Sequence, residues 1–178
     1  PNLDGKLVGW WRMDDVNGSG DPTDYTGVNN GTAVGGASYT SSGKMGGAFE
    51  FDGDATSYVS TNLNWDFCDN NCSISLWVNP NSVRSYEGPI GLSSSADTGL
   101  FWNSNKLYFR VDNTQMNEAS TLSIGTWKHI VVTKNGITGY IYEDGTFLGS
   151  GTVGATPTNA NLRIGHLSSA YNFNGSID

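Results

Sequence analysis

The feature that most constrains this chain is a two-residue alternation of apolar and polar side chains, repeated in short runs between turn dipeptides. In 73–79, Ile74, Leu76 and Val78 share one face and Trp77 takes the other. In 106–112, Leu107, Phe109 and Val111 oppose Tyr108 and Arg110. In 127–134, Ile130 and Val132 oppose Trp127, His129 and Val131, and in 138–143, Ile141 opposes Tyr140 and Tyr142. Side chains on a strand point alternately to opposite faces, so this pattern gives an aliphatic inner face and an aromatic second face. Strands are predicted near 7–13, 31–35, 46–52, 57–61, 73–79, 89–94, 98–103, 106–112, 127–134, 138–143, 146–151 and 161–167. Asn17-Gly18, Asn30-Gly31, Asp52-Gly53, Asn135-Gly136 and Asp144-Gly145 mark turns between them. No stretch of useful length has a helical period; a short helical turn is predicted near 115–120 or 121–124.

Several phrases stand in a fixed order. The first are Leu7-Val8-Gly9-Trp10-Trp11-Arg12-Met13 and Gly43-Lys44-Met45-Gly46-Gly47-Ala48-Phe49-Glu50-Phe51-Asp52-Gly53. Ser73-Ile74-Ser75-Leu76-Trp77-Val78-Asn79-Pro80 and Gly125-Thr126-Trp127-Lys128-His129-Ile130-Val131-Val132-Thr133 follow. The series closes on Leu162-Arg163-Ile164-Gly165 and Phe173-Asn174-Gly175-Ser176-Ile177-Asp178. Together they resemble the LamG-like jelly-roll domain of the concanavalin A-like lectin/glucanase superfamily, over nearly the whole chain. The resemblance implies an all-β, two-sheet antiparallel jelly-roll sandwich, with 1–178 as one domain. Modules of this kind mostly bind, adhere or decorate. Relatives continue past the Ile-Asp of the last phrase with another alternating apolar strand. Its loss is expected to leave an open edge beside 7–13, so the polypeptide is expected to continue. The start at Pro1, without Met or a secretory leader, likewise reads as a mature or excised piece.

A net charge of -8 and the absence of any Lys/Arg-rich run disfavour nucleic acid and anionic membrane surfaces as ligands and favour divalent cations. No apolar stretch approaches the roughly 20 residues of a membrane helix. Cys68 and Cys72 are the only cysteines. A disulfide closing this short polar loop, which implies an oxidising compartment, is expected over free thiols. A metal site would want further Cys or His, and His129 and His166 lie in distant segments.

Three groups of residues could carry chemistry. Trp77, Trp127, Tyr108, Tyr140 and Tyr142, with Arg110 and His129, are candidates to line one sheet surface, where sugars stack on rings while hydroxyls take polar partners. The opposing reading is that loops pack on these same rings. Trp102 and Trp65 fall in expected loops and are the better individual ligand candidates. The acidic turns form a second group. The resemblance implies a structural calcium between the N-terminal loops and the last strand, held by Asp178 with oxygens near Asp14, Asp24, Asn30 or Gly46. The alternative is ordinary solvated turns. Third, Glu50 and Asp52 share one side of a strand at about 7 Å, within reach of a glycosidase carboxyl pair. The second Glu of the enzyme motif is missing, however, so no catalytic residue is assigned. Sequons stand at Asn17, Asn30, Asn71 and Asn174.

The sequence therefore predicts a non-catalytic extracellular recognition or adhesion module of a larger secreted or surface protein. Its expected partner is a glycan or a neighbouring surface protein. A structural or decoration module of a filament, surface layer or virion, contacting copies of itself, is the alternative. A glycoside hydrolase comes third.

Overall fold

A computed structural model describes residues 6–94, 97–168 and 172–178. In chain order the strands are β1 (Trp11–Val16), β2 (Pro22–Asp24), β3 (Thr32–Val34), β4 (Ser38–Thr40), β5 (Ala48–Asp52) and β6 (Tyr58–Asn64). A 3-10 helix (Trp65–Cys68) follows, capped by the Asn64 side chain, which accepts from the Asp66 N–H. Then come β7 (Asn71–Pro80), β8 (Glu87–Leu92), β9 (Gly99–Asn103), β10 (Lys106–Val111), β11 (Thr114–Ala119) and β12 (Lys128–Asn135). The last four are β13 (Thr138–Glu143), β14 (Thr146–Thr152), β15 (Asn161–Ile164) and β16 (Asn174–Ile177).

Two seven-stranded sheets face each other, and every pairing is antiparallel. Sheet I runs β11-β10-β9-β8-β15-β6-β3, and sheet II runs β14-β13-β12-β7-β16-β5-β4. β1 and β2 form a separate ribbon. The two-sheet jelly-roll follows from the alternation. Ile74, Leu76, Val78, Ile130, Val132 and Ile141 from sheet II meet Leu92, Leu100, Leu107, Phe109, Leu162 and Ile164 from sheet I in one buried cluster. Burying each such side chain contributes about 1.5–3 kcal/mol against leaving it exposed.

Turn chemistry sets several hairpins. Asp144 and Gly145 take φ 51° and 77° in the two-residue turn from β13 to β14. Ser104-Asn105 and Asp112-Asn113 also hold positive φ, joining β9 to β10 and β10 to β11. This second pair corrects the helical turn predicted near 115–120: those residues lie in or beside β11, whose Met116 pairs with Phe109. Short polar residues tolerate the left-handed region without glycine, so the turn lacked its usual sign. The strand predicted over 7–13 instead begins at Trp11, because 7–10 have no strand alongside among the described residues. The one predicted over 161–167 stops at Ile164.

Cys68 and Cys72 form a disulfide, as expected, with Cα atoms 4.9 Å apart. One buried cation braces the same corner. The Lys134 ammonium donates to the backbone carbonyls of Asp69 (3.0 Å), Asn70 (3.4 Å) and Ala155 (2.7 Å). It joins the disulfide loop to the segment after β14. Burial lowers its pKa, and Asp69 opposes the shift.

Candidate functional site

Strand register decides which side chains share an outer face. On sheet I, Arg110 lies opposite Gly99, Gly99 opposite Gly91, Gly91 opposite Arg163, and Arg163 opposite Ser60. A single row thus crosses five strands, with an arginine on each side of two glycines. The missing side chains admit the backbone of the segment after β15. A Cβ on Gly91 would come within 2.6 Å of the Leu167 Cα, and one on Gly99 within 2.7 Å of the Leu167 Cδ1. Leu167 is fully buried there, so the chain covers the middle of its own face.

Two polar and aromatic clusters flank this cover. On the first, Phe101 stacks on Tyr108 at 4.8 Å and on Tyr86 at 5.7 Å. The Arg110 guanidinium sits 4.6 Å from the Phe101 ring centre and bonds Gln115 at 2.7 Å. On the second, Arg163 lies 4.0 Å over the Tyr58 ring, and His166 meets the same ring at 5.2 Å. Asn172 bridges to His166 and Gly88, closing this side. His166 and Asn172 are both buried.

Among the described residues, the second cluster holds buried polar atoms without protein partners: Arg163 Nε, His166 Nδ1 and Asn172 Oδ1. Burial and then the neighbouring Arg163 charge push the His166 pKa down to about 4, so the ring is neutral near pH 7. Arg163 Nη1 can only donate, so His166 Nε2, 3.5 Å away, accepts and Nδ1 carries the hydrogen. The cluster therefore holds two buried N–H donors and one buried amide acceptor beside an aromatic ring. A hydroxyl, which both donates and accepts, complements that set. Sequence reasoning did not single out Arg163, His166 and Asn172 as a site. The strand predicted over 161–167 contains Arg163 and His166 but cannot show a loop folding back over glycines.

The outer face of sheet II carries other residues. Trp77 lies opposite His129, with ring centres 4.9 Å apart. The Lys44 ammonium stands 4.8 Å from the Trp77 ring, and Ser75 Oγ lies 2.8 Å from His129 Nε2. Tyr140 pairs with Thr133, and Tyr142 with Val131, on the same side. The single aromatic surface predicted from Trp77, Trp127, Tyr108, Tyr140 and Tyr142, with Arg110 and His129, is therefore corrected. Its members divide between opposite faces of the sandwich, because alternation fixes a side of a strand but not which sheet the strand joins.

Trp65 and Trp102 are also corrected as exposed stacking rings. Trp65 is 0% exposed and donates to the Gly91 carbonyl at 3.2 Å. Trp102 is 3% exposed, and its indole N–H reaches Ser120 Oγ at 3.1 Å. The first lies in the 3-10 helix and the second on β9 facing Leu107 across the pair, so both fill core rather than loops.

The acidic residues separate too. Asp24 accepts from the Trp10, Thr26 and Asn29 N–H groups and from the Thr26 hydroxyl. Burial is the largest single influence and raises its pKa, but the four hydrogen bonds together outweigh it and hold the pKa below the ordinary range. Asn30 accepts from the Asp24 N–H. Both build their own loop. Asp14 and Asp178 do converge on the Gly46 turn: Asp14 accepts from the Gly47 N–H at 2.7 Å and Asp178 from the Met45 N–H at 2.8 Å. Burial raises the Asp178 pKa, and the Asp14 charge adds to the rise. No group of three or more His, Cys, Asp or Glu side chains is arranged to hold a metal among the described residues. No helix among them is long and apolar enough to cross a membrane.

Such an architecture defines a jelly-roll sandwich of the lectin-like type. Residues 52–178 match the profile of the Concanavalin A-like lectin/glucanases superfamily, and the chain belongs to that family. Among solved structures it is similar to domain 4 of AbnA, a GH43 extracellular arabinanase from Geobacillus stearothermophilus, in complex with arabinotriose. That match has a TM-score of 0.66 and 20% identity, covering 87% of this chain and 82% of that one. It is also similar to the binding domain of Botulinum neurotoxin DC in complex with rat synaptotagmin II, with a TM-score of 0.69 and 16% identity over 99% of this chain and 46% of that one. A mutant Trypanosoma rangeli sialidase displaying trans-sialidase activity gives a TM-score of 0.71 and 17% identity, over 97% of this chain and 30% of that one. The chain thus spans less than half of the neurotoxin domain and under a third of the sialidase. No curated protein sequence matches significantly.

Proposed function

We propose that this chain is a non-catalytic recognition module that binds carbohydrate on the outer face of sheet I, at Tyr58, Arg163, His166 and Asn172. The observation that carries the reading is the set of buried donors and an acceptor without partners among the described residues, gathered beside one ring. Buried polar groups are ordinarily hydrogen-bonded, so a set left open together points to a hydroxylated occupant. A sugar supplies hydroxyls to the polar atoms and a C–H face to Tyr58. The fold's occurrence in a chain solved with arabinotriose supports the ligand class. The disulfide supports an extracellular setting. Calcium enters this reading only at Asp14 and Asp178, the two carboxylates of the expected set that meet at one turn.

The test is a glycan panel that includes arabinotriose, followed by titration calorimetry on a glycan that binds. Arg163→Lys keeps the charge but removes Nε, and should weaken binding about tenfold or more. Trp77→Ala, on the opposite face, should leave affinity unchanged. Absence of any glycan binding, or equal losses from the two variants, would sink the reading.

A further inference from the structure

The chain has four arginines, at 12, 84, 110 and 163. A guanidinium sets its Nε–H and one Nη2–H along a single edge, as a flat fork of two donors. Three of the four have an oxygen on that edge. Arg12 Nη2 donates to Asp14 at 2.7 Å. Arg84 Nε donates to Glu87 at 3.1 Å. Arg110 Nε and Nη2 both donate to Gln115. Arg163 differs. Among the described residues it makes no ion pair, and neither Nε nor Nη2 has an acceptor. Its one hydrogen-bond partner, His166 Nε2 at 3.5 Å, is on Nη1, away from that edge. The Tyr58 ring, 4.0 Å from the guanidinium carbon, holds the group in place.

No acidic side chain stands close to this fork among the described residues. Its neighbours across the sheet, Gly91 and Ser60, carry no charge. The only charge that shifts the pKa of the adjacent His166 is Arg163 itself. Arg163 Nε is enclosed, so that end of the cation has given up water without gaining an acceptor. Charges drawn out of water are ordinarily paired. His166 Nδ1–H, also enclosed and without a partner, adds a third donor to the cluster. Three donors around one positive charge are answered better by an anionic group with two oxygens than by neutral hydroxyls, because charge-assisted bonds are roughly twice as strong. Enclosure also limits shape: the group that reaches Nε and Nδ1 is a narrow substituent projecting from a ring, not the ring.

We propose, resting on the carbohydrate reading above, that the sugar bound here is acidic and seats a carboxylate on the Nε–Nη2 edge of Arg163. A carboxylate is flat, and its two oxygens match the coplanar fork. The sugar ring keeps its place against Tyr58, and a hydroxyl donates to Asn172 Oδ1. The net charge of -8 favours a short ligand with one carboxylate over a polyanion. Each further acidic group on the ligand meets repulsion, and the other three arginines already hold an oxygen on their forks. Preference for the acid is therefore local, made at contact with one side chain, while the overall charge is screened over about 8 Å at physiological salt.

The experiment titrates the chain by calorimetry with glucuronate-terminated and sialate-terminated trisaccharides, the methyl ester of each, and a sulfated trisaccharide. At least one free acid should bind about tenfold or more tighter than its own ester, and the terminal sugar that does so identifies the source of the carboxylate. Arg163→Gln should bring that acid and ester within about twofold of each other. Lys106→Gln removes the same charge from an exposed position on β10 and should leave the preference intact. Melting curves establish that both variants are folded, and the acid-to-ester ratio of the unaltered chain needs no variant. Esters bound as tightly as their acids, a sulfated sugar preferred to both carboxylates, or equal loss of preference in the two variants would overturn the acidic ligand and leave carbohydrate binding standing. Absence of binding by acids, esters and sulfate alike would remove both.

Discussion

Replacing Trp65 by alanine tests whether burial or ligand contact explains this ring. The indole is 0% exposed, stacks on Phe67 at 5.5 Å, and donates its N–H to the Gly91 carbonyl on β8, two strands from β6 in sheet I. Truncating a fully buried Trp to Ala loses transfer energy and leaves a cavity, about 3–5 kcal/mol in all. For a domain of this size each kcal/mol lowers the melting temperature by roughly 2–4 °C, so the shift should be roughly 6–20 °C. Trp65→Phe keeps most of the ring and loses the hydrogen bond, and should fall between parent and alanine. Trp77→Ala, at a half-buried surface position, should cost only about 1 kcal/mol. Urea and thermal unfolding measure all three, with glycan titration run alongside at a temperature where each variant is folded. A Trp65→Ala protein as stable as its parent, or one with intact stability and lost binding, would refute the argument from burial.

Other outcomes follow from the same contacts. His166 titrates near 4 in the folded state against an ordinary 6.5, so between those values the unfolded chain binds the extra proton. Stability should therefore fall as pH drops through that window, by on the order of 2 kcal/mol, and His166→Gln should flatten the dependence measured by urea unfolding at stepped pH. If calcium binds at Asp14 and Asp178, chelator lowers the melting temperature and Asp178→Asn removes most of the response; an unchanged melting curve eliminates the ion. Without reductant, Cys68 and Cys72 should resist alkylation, and modification of both would contradict the disulfide.

How much of this was legible in the sequence differs from element to element. Ile74, Leu76 and Val78 lie in the core as their alternation requires, and Asp144-Gly145 makes the expected hairpin. Local pattern is enough for such features because they depend on one strand or one turn. β11 was not legible, since Asp112-Asn113 adopts positive φ without glycine. The surface division of Trp77 and Tyr108 was not legible either, because sheet membership depends on pairing between distant segments. Trp65 and Trp102 show the same limit: Trp65 between Asn64 and Asp66, and Trp102 just before Asn103-Ser104-Asn105, read as exposed until the packing partners are known. The Arg163–His166–Asn172 cluster depends on a loop returning over Gly91 and Gly99, and only the absence of side chains at those glycines hinted at a close approach.

The buried Lys134 changes what the disulfide implies. Both act on the loop at 68–72, one by covalent closure and the other by gathering the carbonyls of Asp69, Asn70 and Ala155 around one ammonium. Two ties of different kind, one ionic and one covalent, therefore hold the same corner, so the carbonyls that the ammonium gathers do not depend on the crosslink for a partner.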